Sequence, residues 1–301
     1  GNFGHKLERL RNANQGRVTG FDAKGNPIVV YPYPNLTSGG QHAFLELATN
    51  DGNSSYNALL VSLRHRFNKG LLFGVSYTWS KNLADFVDQL TGGSTPADAY
   101  NYSLERSFSP FDTEHRFVAH ATYELPIGKG GYLLNHDGLA GRLIGGWQVN
   151  SIVTAQTGTP FTVTAPDASR TGGGHASRAN CVGNPYAGTA RDAELYVNGG
   201  PRFWLNPAAF SQPAVGTFGT CAPRAFHGPG LENVDLSLFK NFVFSERGRV
   251  EFRSEFFNAF NHANFNNPQA NIAPSQIGSF GRSFSTVTDP REIQFALKLY
   301  F

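Results

Sequence analysis

No stretch of this sequence approaches the roughly 18 consecutive apolar residues that a membrane-spanning helix requires. The mean hydropathy is −0.31, so hydropathy alone describes a chain that stays in water. That test is blind to membrane β-barrels, whose strands are only half apolar. Charge is scarce: Asp, Glu, Lys and Arg make up 16% of 301 residues, against about a quarter in ordinary domains. With 13% aromatics, so few charges suggest a surface that is not all in water. The net charge is only +3 and no run of Lys or Arg occurs, which argues against a nucleic-acid partner. There is no methionine, whereas Gly reaches 34 and Phe 26, unlike a compact α/β enzyme. The sequence opens at Gly1 without a signal peptide. The expectation is a mature processed form or a piece of a longer polypeptide. Cys181 and Cys221 are the two cysteines, both in a region rich in Gly, Pro and Asn. A loop disulfide in an oxidising compartment is the expected reading, and two free thiols are the alternative.

What is present is alternation with a period of two residues. In "LLFGVSYTWS" (71–80) the face of Leu71, Phe73, Val75, Tyr77 and Trp79 opposes Leu72, Gly74, Ser76, Thr78 and Ser80. "NALLVSLRHRF" (57–67) sets Leu59, Val61, Leu63 and Phe67 against Ser62, Arg64 and Arg66, and Asn68, Lys69 and Gly70 turn the chain between the two. The same reading gives strands at 115–125, 146–156, 233–242, 249–257 and 292–301, with a weaker eighth at 2–10. No helical pattern exceeds a turn or two. The polar faces carry charge: Arg249, Glu251, Arg253 and Glu255 alternate in sign along one strand. In a dry core each would cost several kcal/mol unless paired. Such strands suit a boundary between hydrocarbon and a wet lumen. They also suit a soluble sheet with one solvated face.

Connection length separates these readings. The connections expected after the second, fourth and sixth strands are 69–70, 126–144 and 243–248. Those after the first, third, fifth and seventh are 12–56, 83–114, 157–231 and 259–291. Short connections fall at one end and long ones at the other, as in an up-and-down outer-membrane barrel with short periplasmic turns and long outer loops. In that frame Tyr77 and Trp79 lie near the outer interface, and Tyr123, Trp147, Phe242 and Phe301 near the inner one, as an aromatic girdle.

The segments "NDGNSSYNALLVSLRHRFNKGLLFGVSYTWSKNLAD" (50–85), "SPFDTEHRFVAHATYELPIGKG" (109–130), "GWQVNSIVTAQTGTPFTV" (146–163), "NVDLSLFKNFVFSERGRVEFRSEFFNAFNHANFNNP" (233–268) and the terminal "LKLYF" follow one another in order. Together they resemble the barrel of the Oar-like TonB-dependent receptors, outer-membrane proteins of Gram-negative bacteria with an N-terminal carboxypeptidase-regulatory-like domain. Each segment is weakly specific; the ordered run is strong. The resemblance implies an all-β, antiparallel, up-and-down transmembrane barrel of 22 strands. About eight of these, the last third, would lie in residues 1–301, with 157–231 a long extracellular loop. It implies transport gated by a plug, with a plug, a TonB box and a periplasmic β-sandwich not found in this sequence, so that TonB would be met through missing regions. It also implies that Phe301, with Leu299 and Leu297, forms the C-terminal signal read by the barrel-assembly machinery. Outer-membrane lipid and lipopolysaccharide are the expected surroundings, and the substrate stays open. The alternative is a structural or adhesive barrel, or a self-assembling β-rich surface protein, without transport.

No constellation points to an enzyme, a cofactor or a metal. "FDTEHRF" (111–117) brings together Asp112, Glu114 and His115, which reads better as the rim where a loop becomes a strand than as a metal or acid/base set. His136–Asp137 and His262 lack zinc spacing. "TGGGHASR" (171–178) has neither the preceding strand nor the following helix of a phosphate loop, and G-x-S-x-G does not occur. The long loop 157–231 is the expected binding region, with Trp204 and Phe210 as candidate contacts.

Overall fold

A computed structural model describes residues 1–66, 70–86, 95–128, 131–133, 138–172, 177–189, 203–244 and 248–301. Phe67, Asn68 and Lys69 of the expected strand and hairpin, His136–Asp137, and residues 173–176 of "TGGGHASR" lie outside the described residues. Eight strands form one antiparallel sheet in chain order. They are β1 (Asn2–Asn12), β2 (Glu46–Arg66), β3 (Leu71–Ala84), β4 (His115–Glu124), β5 (Trp147–Gln156), β6 (Leu231–Val243), β7 (Arg249–Phe257) and β8 (Glu292–Tyr300). A short stretch, Ser107–Phe108, pairs with the outer end of β3. Strands of nine or ten residues, such as β4, β5, β7 and β8, have the length that crosses a hydrocarbon core when tilted.

Two boundaries differ from the sequence reading. Strand β2 begins at Glu46, where alternation first suggested Asn57. Thr49, Asn50, Asp51 and Asn53 give no apolar face. They are held extended instead by pairing with β1, from Asn12↔Glu46 to Asn2↔Tyr56. The first long connection is therefore 13–45, and it carries two small hairpins. The 125–146 connection contains one helical segment of six residues, Leu139–Ile144, under two turns. That connection folds back tightly at Gly128 and Gly145: a Cβ on Gly145 would come within 2.6 Å of the Gly128 Cα.

The register fixes which side chains share a face. On one side run the rows Leu63–Val75–Ala119–Val153–Val234 and Leu71–Tyr123–Val149–Leu238–Ser254–Phe295. On the other run Leu72–Thr122–Asn150–Ser237–Glu255–Gln294 and Asn241–Glu251–Lys298. Thr122 donates to Asn150 at 2.8 Å, Gln148 donates to the same oxygen at 2.9 Å, and the guanidinium of Arg253 meets Glu251. One face is thus aliphatic and aromatic, the other a lattice of amides, hydroxyls and paired charges.

Among the described residues, no protein layer covers most of the apolar face. Leu297 is 72% exposed, Phe295 68%, Leu63 56% and Trp79 52%. A soluble antiparallel sheet hides one face against a core, and contiguous apolar patches of this extent do not persist in water. The buried cluster of the chain lies elsewhere. Phe161, Val163, Ala179, Leu205, Phe210, Phe226 and Phe280, with their neighbours, come from the connections 157–230 and 258–291, and none from the sheet.

Lys240 is a charged residue on the apolar face, far from the long connections, and alternation does not flag it. It pairs with Trp147 across the sheet and is fully buried. Its ammonium donates to the Gly145 carbonyl and lies 5.1 Å from the Trp147 ring centroid and 4.9 Å from that of Phe242. A cation beside hydrocarbon needs such partners. Here it sits at the end where the expected inner girdle residues Trp147 and Phe242 stand.

Candidate functional site

The long connections all leave the same end of the sheet and build a cap with its own hydrophobic core. Phe210 meets Phe226 edge-on with ring centroids 5.4 Å apart and packs on Phe280 at 5.5 Å. Cys181 and Cys221 are joined within this cap, with Cα atoms 5.1 Å apart and a sequence separation of 40. Closing a loop of that length contributes about 4 kcal/mol by chain entropy. Loops this long are rarely ordered without their own packing, and the aromatic cluster with its cross-link supplies it.

Buried polar nodes tie the cap to the neighbouring connections. Arg178 donates to Glu105 at 3.0 Å and to the Leu104 carbonyl at 3.1 Å. Arg224 donates to the Phe108 carbonyl at 2.5 Å and to the Glu105 carbonyl at 3.5 Å. Burial lowers the pKa of both guanidinium groups, and the Glu105 carboxylate opposes that shift. The node therefore holds two buried cations against one carboxylate and several carbonyls. Gln15 makes a second node. Its amide donates to the Ala97 carbonyl at 2.7 Å and to Thr171 at 3.2 Å, and accepts from the Ala99 N–H at 2.5 Å. Arg9 makes a third, 2.8 Å from Asp85 and 3.9 Å over the Tyr102 ring. None of Glu105, Arg178, Arg224 or Gln15 stands out in the sequence, because each meets partners from another connection.

At the rim, the expected strand-start residues take separate roles. Asp112 is buried; it accepts the Asn82 N–H at 2.6 Å and faces the His227 Nε2 at 3.2 Å. His115 shares a 2.8 Å hydrogen bond with the Tyr77 hydroxyl, and its ring lies nearly parallel to that of Trp79. Glu114 is 3.9 Å from His115. Among the described residues no three of His, Cys, Asp and Glu converge as a metal site would require. Of the candidate loop contacts, Phe210 is buried in the cap core. Trp204 packs against that core from outside and donates its indole N–H to the His227 carbonyl at 2.7 Å. Tyr123, Trp147 and Phe242 lie at the sheet end opposite the cap, and Tyr77 and Trp79 at the cap end.

A sheet with one uncovered apolar face, one charged face and its folded mass at one end is what a family comparison can place. A family model described as an outer membrane beta barrel domain matches residues 1–294. The chain belongs to this outer-membrane β-barrel family. The uncovered face of the family member is then its lipid-facing side, and its localisation is the outer membrane. A search of curated proteins and a search of solved structures each returned no match.

Proposed function

We propose that this chain is the C-terminal part of the barrel of an Oar-like TonB-dependent receptor, and that its cap is the extracellular surface on which substrate specificity resides. The observation that carries this is the open sheet. Among the described residues, β1 pairs only with β2 and β8 only with β7. In hydrocarbon each unpaired backbone group costs several kcal/mol, so the two edges call for further strands. An eight-stranded barrel would have removed them by closing on itself. A larger barrel, of 22 strands, removes them with strands outside residues 1–301. The charged face then lines a wide lumen, which in such receptors a plug fills. The ordered cap supports the same reading, since binding loops are presented by rigid scaffolds. The chain acts in passage rather than in chemistry, and needs no cofactor.

The test is cross-linking of the full-length receptor to TonB in energised cells. A TonB-linked species that depends on the proton gradient supports transport. Its absence, with the protein correctly folded in the outer membrane, leaves the structural or adhesive reading. Protease shaving of intact cells checks orientation separately. Cleavage should fall within 85–114 or 157–230 and spare residues 67–70, and the reverse pattern would overturn it.

A further inference from the structure

A cleft of ≈ 510 Å³ opens where the apolar face meets the cap. Its floor is a single cross-strand row. Tyr77 pairs with Phe117, Phe117 with Ala155, and Ala155 with Glu232. Ala155 is the small side chain of these four, so a gap stands over it between the Phe117 ring and the Glu232 carboxylate. The roof comes from the cap, from Tyr186, Trp204 and His227.

The lining is held rather than loose. Trp204 is fixed by its bond to the His227 carbonyl, His227 by Asp112, and the Tyr77 hydroxyl by His115. Its chemistry is selective. It offers aromatic rings together with the Glu114 and Glu232 carboxylates, and no Lys or Arg is among its described lining residues. Phosphate recognition favours Arg or Lys; the imidazoles in the lining are already engaged, His115 by the Tyr77 hydroxyl and His227 by Asp112, and two carboxylates repel a phosphate headgroup. Carboxylates accept hydroxyl hydrogens, and flat apolar rings take the face of a sugar. Pockets that orient a ligand combine an apolar lining with a few such polar groups. The floor belongs to the membrane-facing row, so the cleft is reached sideways from the lipid layer at the level where hydrocarbon gives way to headgroups.

We propose that this cleft seats the sugar headgroup of a glycolipid in the outer leaflet, with Tyr77, Phe117 and Trp204 as ring contacts and Glu114 and Glu232 as hydroxyl acceptors. This rests on the long connections lying outside. Its test uses full-length protein in phosphatidylcholine nanodiscs doped with monoglucosyl diacylglycerol, phosphatidylglycerol or neither, with retained lipid counted by native mass spectrometry. The glucosyl lipid should be retained and phosphatidylglycerol should not. Ala155→Leu fills the floor with a residue that suits a lipid-facing strand and should lower retention about tenfold, with heat-modifiable migration unchanged. Glu232→Gln preserves shape and should weaken retention less. Equal retention of phosphatidylglycerol, or no effect of Ala155→Leu in a folded protein, would overturn the proposal. Displacement of the glucosyl lipid by free maltose at equal concentration would overturn the lipid as source. Nanodisc retention depends on neither TonB nor sidedness in cells, so its failure is distinct from failure of the transport reading.

Discussion

The Glu105 carboxylate lies 3.0 Å from the Arg178 guanidinium and also accepts the Ala97 N–H of its own loop at 3.0 Å. One buried acid thereby holds together two connections that are 73 residues apart in sequence. Replacing Glu105 by Ala leaves Arg178 and Arg224 buried with no opposing carboxylate. Removing one partner of such a pair costs about 3–5 kcal/mol. Hydrogen exchange on the purified full-length protein should show protection lost across 95–109 and 161–189 in Glu105→Ala, with β4 to β8 unaffected. Glu105→Gln keeps an acceptor for the Ala97 N–H and should lose less. Equal protection in Glu105→Ala and the native protein would mean that the aromatic core alone holds the cap.

The disulfide bears on the same cap from another direction. With Cys181 and Cys221 both replaced by Ser, the chain-entropy contribution of about 4 kcal/mol is lost. The Phe210–Phe226–Phe280 packing remains. Trypsin on intact cells should then cut at Arg178, which is only 2% exposed in the closed cap. Outer-membrane levels should stay near normal, because no strand of the sheet is involved. If Arg178 stays resistant, the cross-link is dispensable to the order of the cap.

The sheet was legible in the sequence because a two-residue period states directly which side chains share a face. The faces read for Leu59 to Leu63, Leu71 to Trp79 and Val234 to Leu238 are those that the register assembles. The outer half of β2 was not legible, since Thr49 to Ser54 show no apolar face and are extended by pairing with neighbouring strands. The cap nodes were not legible either. Arg224 finds the Phe108 carbonyl 116 residues away, and nothing local in "CAPRAF" announces a partner. The cleft is a case between the two. Its floor follows from alternation, but its roof depends on where the cap lays Trp204.

Lys240 gives a prediction at the opposite end of the sheet. Its ammonium satisfies the Gly145 carbonyl beneath the Trp147 and Phe242 rings. Lys240→Ala removes that donor and opens a cavity next to two aromatics. The expected loss is about 2–4 kcal/mol, read as a lower temperature for the heat-induced mobility shift. Lys240→Met fills the space without the donor and should recover part of it. If Met is as stable as Lys, packing and not the charge is what the site requires.

Phe301 separates assembly from stability. The register of β8 runs from Glu292↔Phe257 to Tyr300↔Arg249, and Phe301 lies one residue beyond it, 98% exposed. It contributes no ladder hydrogen bond to the described sheet, and its removal leaves Ile293, Phe295, Leu297 and Leu299 facing the same way. A stability role would lower the heat-modification temperature of whatever protein reaches the membrane. A signalling role would lower the amount that reaches it and leave that temperature unchanged. The expected outcome for the full-length protein lacking Phe301 is the second pattern, several-fold less protein in the outer membrane with normal heat modification. Phe301→Tyr, which keeps a terminal ring, should restore the level. Unchanged outer-membrane levels after deletion would remove the assembly role from Phe301.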